Sequence, residues 1–157
     1  DRSYKSGSFG NIGGEYYAVW PDMKAWQGIR LGVNSNINGT FNNPIYQTFI
    51  TGIKNYRFDV ADGEYEITLH FCEPFNDAKR KDTNLKTGCD KDGMRVFSIY
   101  ANNTLIRENL NLAADYGVCR AVPIRFVVRA ENNKSIDIRF FPQYGEAILN
   151  GIQIRKF

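Results

Sequence analysis

The sequence predicts an all-β protein, a two-sheet sandwich of jelly-roll type. Apolar residues recur with period two in run after run, clusters of Asp, Asn and Gly separate those runs, and no segment sustains a 3.6-residue period for three turns. The chain has 157 residues, 43% of them hydrophobic and 14% aromatic, which is material for one packed core and too little for two ordinary domains. Disordered, collagen-like and coiled-coil classes are excluded by the same composition. A single domain over residues 1–157 is therefore expected.

Residues 1 to 44 are rich in Gly and Asn and predict loop rather than strand. The first alternation is Tyr56-Phe58-Val60, ended by the turn cluster Ala61-Asp62-Gly63. The clearest strand follows, with Tyr65, Ile67, Leu69 and Phe71 on one side and Glu66, Thr68, His70 and Cys72 on the other. Residues 76 to 93 form a mixed-charge excursion longer than usual connections, either functional or mobile. Met94 to Tyr100 and Thr104 to Arg107 predict a hairpin around Asn102-Asn103, and Glu108 to Tyr116 a short helical turn. Two more strands come from Ile124-Phe126-Val128 and Ile136-Ile138-Phe140, separated by Glu131-Asn132-Asn133-Lys134 at a hairpin-like spacing. The last strand is Ile152-Ile154 against Gln153-Arg155.

Several chemistries are poorly supplied. Lys and Arg number 20 against 17 Asp and Glu, a net charge of +3 that provides no basic stripe for nucleic acid. Apolar stretches are strand-sized, so no membrane span is predicted. Cys72, Cys89 and Cys119 lack C-x-x-C spacing and suggest buried or incidental thiols, the alternative being a disulfide from Cys89 to Cys72 or Cys119 in an exported protein. His70 is the lone histidine and has no His or Cys two residues away, which leaves neither a metal triad nor a Ser-His-Asp arrangement. No cofactor is expected, although oxygen-rich Asp/Asn turns leave room for a structural Ca²⁺. Gly7, Gly10 and Gly13 precede no helix and are loop glycines, not a phosphate cradle. A carboxylate pair such as Glu73 with Glu146 or Asp22 is the one catalytic alternative.

Binding is better supplied. Tyr16, Tyr17, Trp20, Trp26, Tyr46 and Phe75 fall in or beside loop-like segments, where an aromatic face can meet the C–H face of a sugar. Asn side chains donate and accept at once, as vicinal sugar hydroxyls do. The same rings can equally close the edge of a sandwich, and Asn also marks turns.

Five motifs raise a resemblance. Asn11-Ile12-Gly13-Gly14, Ile45-Tyr46-Gln47-Thr48, Gly63 to Phe75, Gly93 to Ile99 and Ala147 to Ile154 resemble, in order, the signatures of the malectin-like carbohydrate-binding domain. The resemblance implies a jelly-roll β-sandwich of the galactose-binding-like kind and a non-catalytic sugar binder. It further implies a C-terminal piece of a bacterial glycoside hydrolase of β-galactosidase or β-glucuronidase type, a reading that the absence of an initial Met suits. Expected partners are an oligosaccharide or polysaccharide and the catalytic domain of the parent chain, in the periplasm or outside the cell. Carried over by position, the ligand-facing residues would be Tyr46, Phe75, Tyr17 and Asn150. Cys72 and Ser98 depart from the family pattern, and the charged excursion lies directly after Phe75. If Tyr46 and Phe75 are loop rings, Tyr46→Ala and Phe75→Ala leave the melting temperature nearly unchanged, whereas Phe126→Ala costs about 3–5 kcal/mol. The alternative function is a structural or interdomain sandwich, and a third is an enzyme in its own right.

Overall fold

The computed structural model describes residues 2–18, 30–31, 36–74, 95–132 and 135–157. Among the described residues, twelve strands and two five-residue helices follow in the order β1 (Phe9–Ile12), β2 (Glu15–Ala18), β3 (Arg30–Leu31), α1 (Asn43–Gln47), β4 (Phe49–Thr51), β5 (Asn55–Phe58) and β6 (Gly63–Phe71). Then come β7 (Val96–Ala101), β8 (Thr104–Leu110), α2 (Leu112–Tyr116), β9 (Val122–Ala130), β10 (Ile136–Tyr144), β11 (Ile148–Leu149) and β12 (Gly151–Lys156). They form a five-stranded sheet β1-β5-β10-β7-β8, a three-stranded sheet β12-β6-β9 and a four-stranded sheet β11-β4-β2-β3. All three contribute to one core, with Phe49, Phe58, Ile67, Leu69, Phe71, Phe97, Ile138 and Ile148 buried together. The all-β sandwich is as the alternation predicts. Its hydrogen bonding divides into three sheets rather than two, because Asn150 alone stands between β11 and β12.

Three local expectations change. The Gly-rich start contains strands after all: β1 pairs with β5, and β2 with β4 and β3. These strands are two to four residues long, too short for alternation to register, and they rely on glycine. A Cβ on Gly10 would lie 2.4 Å from the Arg2 carbonyl oxygen, and one on Gly14 would lie 2.7 Å from Ile50 Cγ1. Of the turn clusters, only Asn102-Asn103 closes a hairpin, β7–β8. The steps from β5 to β6 and from β9 to β10 instead pass between the five-stranded and three-stranded sheets, because strands consecutive in a sandwich often sit in opposite layers. Phe126 is only partly buried, since β9 is an edge strand, and Phe97 at 0% exposure is the deeper ring. Residues 76–93, Cys89 and Phe75 lie outside the described residues. Cys72 is a free thiol, and burial, with Cys119 and Glu73 nearby, pushes it up to about 12.

Asp59, just past β5, ties the N-terminal segment to the start of β10. Its carboxylate accepts hydrogen bonds from Ser135 Oγ at 2.5 Å, Tyr4 Oη at 2.7 Å and the Gly7 N–H at 2.6 Å. Those donors, Ser135 foremost, hold its pKa well below the usual carboxylate range. A depressed carboxyl stabilises the fold above its unfolded pKa, near 4, and loses that contribution as acid protonates the unfolded chain first. The melting-temperature gap between wild type and Asp59→Asn is therefore expected to be widest at neutral pH and to shrink below about pH 4. A gap that stays constant from pH 7 to pH 3 would contradict the assignment.

Candidate functional site

Of the residues singled out by sequence, Tyr46 and Asn150 meet where β6 ends and β12 begins. Pro44 sits in the first turn of α1, where its missing N–H costs nothing. The helix lasts only to Gln47, because Thr48 is extended. Its Tyr46 is 5% exposed and joins Ile37 and Cys72 in a second small core, on the opposite face of β6 from Leu69 and Phe71. Tyr46 Oη and His70 Nδ1 share a hydrogen bond of 2.7 Å, the rings meeting edge to face at 5.5 Å between centroids. Burial, then the neighbouring Cys72, raises the Tyr46 phenol. Tyr46 is thus a buried residue of a short helix and not an exposed loop ring. An unchanged melting temperature for Tyr46→Ala is no longer the expectation.

Asn150 is a staple. Its Oδ1 accepts the Cys72 N–H at 2.7 Å, and its Nδ2 donates to the carbonyls of Tyr46 at 2.8 Å and Thr48 at 3.1 Å. One side chain thereby fixes the end of β6, the end of α1 and the β11–β12 junction to each other. Three of the four hydrogen-bonding positions of an amide are occupied in this way, leaving one Oδ1 lone pair. Tyr17 lies in β2, its backbone between Phe49 and Arg30, and its side chain is outside the described residues, as is the whole of Phe75.

Beside Asn150 opens a cleft of about 230 Å³. Phe49, Ile50, Tyr56 and Leu149 give it an apolar floor, and Asn11, Tyr16, Thr48 and Asn150 a polar wall. Tyr16 is 41% exposed, and its Oη donates to Asn11 Oδ1, so the ring is held at the wall. Asn11 in turn donates from Nδ2 to the Gly13 carbonyl at 2.9 Å. Burial, with Tyr16 close by, pushes the Tyr56 phenol up to about 12, which keeps the floor uncharged at any ordinary pH. Sequence reasoning had Tyr16 among the aromatics but not as a wall residue. The Asn11-Ile12-Gly13-Gly14 motif was the available signal, because it places the amide that braces that ring.

Glu73 is not available to act in a carboxylate pair. Glu73 and Arg95 are both 0% exposed, with Arg95 Nε donating to Glu73 Oε2 at 2.7 Å and Nη2 to Oε1 at 3.3 Å. Arg95 Nη1 also donates to the Glu146 carbonyl at 2.8 Å. A carboxylate clamped on both oxygens in the interior can neither protonate a glycosidic oxygen nor attack a sugar. Asp22 lies outside the described residues. Among the described residues no cluster of His, Cys, Asp and Glu could hold a metal ion, and no helix is long and apolar enough to cross a membrane.

The family model of the Malectin domain matches residues 14–152. Among solved structures, β-glucuronidase from Bacteroides uniformis matches over 100% of this chain at 28% sequence identity and a TM-score of 0.77. This chain spans only 15% of that enzyme's length. The ANXUR2 extracellular domain from Arabidopsis thaliana matches 96% of this chain and 41% of its own, at 16% identity and a TM-score of 0.61. A chain of the plant RALF23 peptide complex with FER and LLG2 matches 90% of this chain and 38% of its own, at 19% identity and a TM-score of 0.56. At those identities the plant structures show a shared fold alone. No curated protein matches the chain.

Proposed function

The chain belongs to the malectin-domain family, and from that premise we propose that it is a non-catalytic carbohydrate-binding module. In this reading it is joined to a bacterial glycoside hydrolase of β-glucuronidase or β-galactosidase type, which works in the periplasm or outside the cell. The observation that carries the reading is the cleft: a space of one or two sugar rings, apolar beneath and rimmed by amide, hydroxyl and an exposed tyrosine ring. That combination suits a sugar ring, which has an apolar C–H face and a polar edge. The attachment is supported by the β-glucuronidase match, in which an equivalent of the whole chain makes up a small part of a large enzyme.

The roles divide by depth. Tyr16 stacks on the sugar, Asn11 and the remaining Asn150 lone pair meet hydroxyls, and Tyr46 supports the wall from beneath. Phe75 and Tyr17 remain in the proposal as further ring contacts. Stacking worth about 0.5–1.5 kcal/mol per ring in a shallow site implies affinities of roughly millimolar to micromolar. A glycan-array screen followed by calorimetry tests this. Tyr16→Ala is expected to weaken binding by about tenfold, or 1.4 kcal/mol, with little change in melting temperature. Binding that survives Tyr16→Ala, Phe75→Ala and Tyr17→Ala alike would overturn the site.

A second reading, contact with the rest of a larger chain, is favoured by one surface. Leu105 and Phe141 are 44% and 45% exposed on the five-stranded sheet, where Phe141 packs edge to face on Tyr100 at 5.3 Å between centroids. This is an apolar strip suited to covering by a catalytic domain, and it does not compete with the cleft.

A further inference from the structure

A second concavity has a volume of about 470 Å³, within the roughly 300–1,000 Å³ typical of small-molecule sites. It lies where the β7–β8 turn, the end of β9 and the start of β10 meet. It adjoins the cleft across the five-stranded sheet, for Tyr56 of the cleft floor pairs with Ile138, whose neighbours Asp137 and Arg139 line the basin. Side chains alternate along a strand, so Asp137 and Arg139 face the opposite way from Ile138 and the two sites open on different faces.

Eight of its nine lining residues are polar or charged, and hydrogen bonds hold Asn102, Asp137 and Arg139 in place. The Asn102 N–H donates to the Asp137 carbonyl at 2.8 Å, and the Asp137 N–H donates to Asn102 Oδ1 at 3.0 Å. Asn55 Nδ2 donates to both Asp137 oxygens, at 2.9 and 3.1 Å. Arg139 Nη2 donates to the Asn102 carbonyl at 2.7 Å and to Asn103 Oδ1 at 2.8 Å. The groups left over are the informative ones. Arg139 Nε is buried with no hydrogen-bond partner, its nearest carboxylate oxygen being Asp137 Oδ2 at 3.9 Å. Asn103 and Asn132, both exposed, present further side-chain amides there. A bound oxygen would supply the acceptor that the buried Arg139 Nε lacks.

Charge then selects the ligand. Arg139 stands against Asp137, and Arg129 Nε meets Glu131 Oε1 at 3.0 Å, so both guanidinium groups are balanced by carboxylates. An anionic ligand would meet Asp137 and Glu131, and a cationic one Arg129 and Arg139. A neutral ligand with adjacent hydroxyls, each donating and accepting, satisfies free amide donors and carboxylate acceptors together. We infer that this basin is a second, independent binding site for a neutral saccharide. It opens on a different face of the five-stranded sheet from the cleft, so that the chain can hold two glycan chains at once.

The test is NMR titration of the ¹⁵N-labelled chain with cellobiose, maltose and lactose, and separately with sodium glucuronate. The expected result is a saturable shift of the Asn102, Asn103 and Asn132 signals with at least one neutral disaccharide, retained in Tyr16→Ala. Asn132→Ala, which removes no internal hydrogen bond of the described residues, is expected to weaken it at least fivefold, and so is Asn103→Ala. Shifts by glucuronate alone would overturn the neutral-ligand assignment. Shifts confined to the cleft, shifts lost in Tyr16→Ala, or none with any disaccharide would overturn the second site. Absence of cleft shifts in the wild-type chain alongside basin shifts would count against the proposed cleft and leave the basin standing.

Discussion

Arg95→Met is expected to destabilise the protein by about 3–5 kcal/mol, a large share of the roughly 5–15 kcal/mol that holds a domain of this size together. Both members of the Glu73–Arg95 pair are fully buried, so truncation leaves a carboxylate in the interior without its counter-charge and the Glu146 carbonyl without its donor. The lost Coulomb attraction is the smaller part of the effect. The larger part is desolvation of an orphaned anion. Replacing both partners, as in Glu73→Leu with Arg95→Met, is accordingly expected to recover most of the stability, because apolar side chains of similar size owe nothing to water. Denaturant titration of the two single variants and the double variant decides this, and a double variant no better than Arg95→Met would contradict the desolvation argument. The pair also fastens the chain after β6 to the chain before β7, and so ties together the two ends of the charged excursion.

Tyr46→Ala is expected to cost about 3–5 kcal/mol, the range for removing a buried aromatic ring. At 5% exposure the ring fills the second core with Ile37 and Cys72, and nothing nearby can collapse into its place without moving α1. Tyr46→Phe separates packing from polarity. It keeps the ring and removes the hydroxyl from His70 Nδ1, an expected loss of about 1 kcal/mol. If Tyr46→Ala melts like wild type, the ring is a surface contact and the support role assigned to it is wrong. If Tyr46→Phe is as damaging as Tyr46→Ala, the hydrogen bond outweighs the packing.

The malectin-like motifs brought Tyr46 and Asn150 together as a pair without indicating what their contact would be. Tyr46 and Asn150, 104 positions apart, do meet, yet their contact is a hydrogen bond from the Asn150 amide to the Tyr46 carbonyl. Sequence similarity marks a position as constrained without saying whether a ligand or the backbone imposes the constraint. Tyr16 was named as an aromatic beside a loop, but its place in the wall depends on β2 lying against β4, and four-residue strands leave no periodic trace. Glu73 was legible as a carboxylate and not as a buried one, because its partner Arg95 lies 22 positions away across the excursion.

Alternation along the chain was enough to determine the long strands β6, β9 and β10 and the face of each that is buried. Burying one side of a pleated strand requires apolar residues at every second position, and that requirement is written locally. The β7–β8 hairpin was equally local, since Asn102 tolerates the left-handed conformation its turn needs, with φ of 52°. Only the tertiary structure decided that β5 to β6 and β9 to β10 pass between sheets, that Gly10 and Gly14 are sites of close backbone approach, and that Tyr46, Glu73 and Asn150 are held in place by distant partners. Those outcomes depend on which surfaces meet after the strands have formed, and no periodicity within a strand encodes the identity of the surface that covers it.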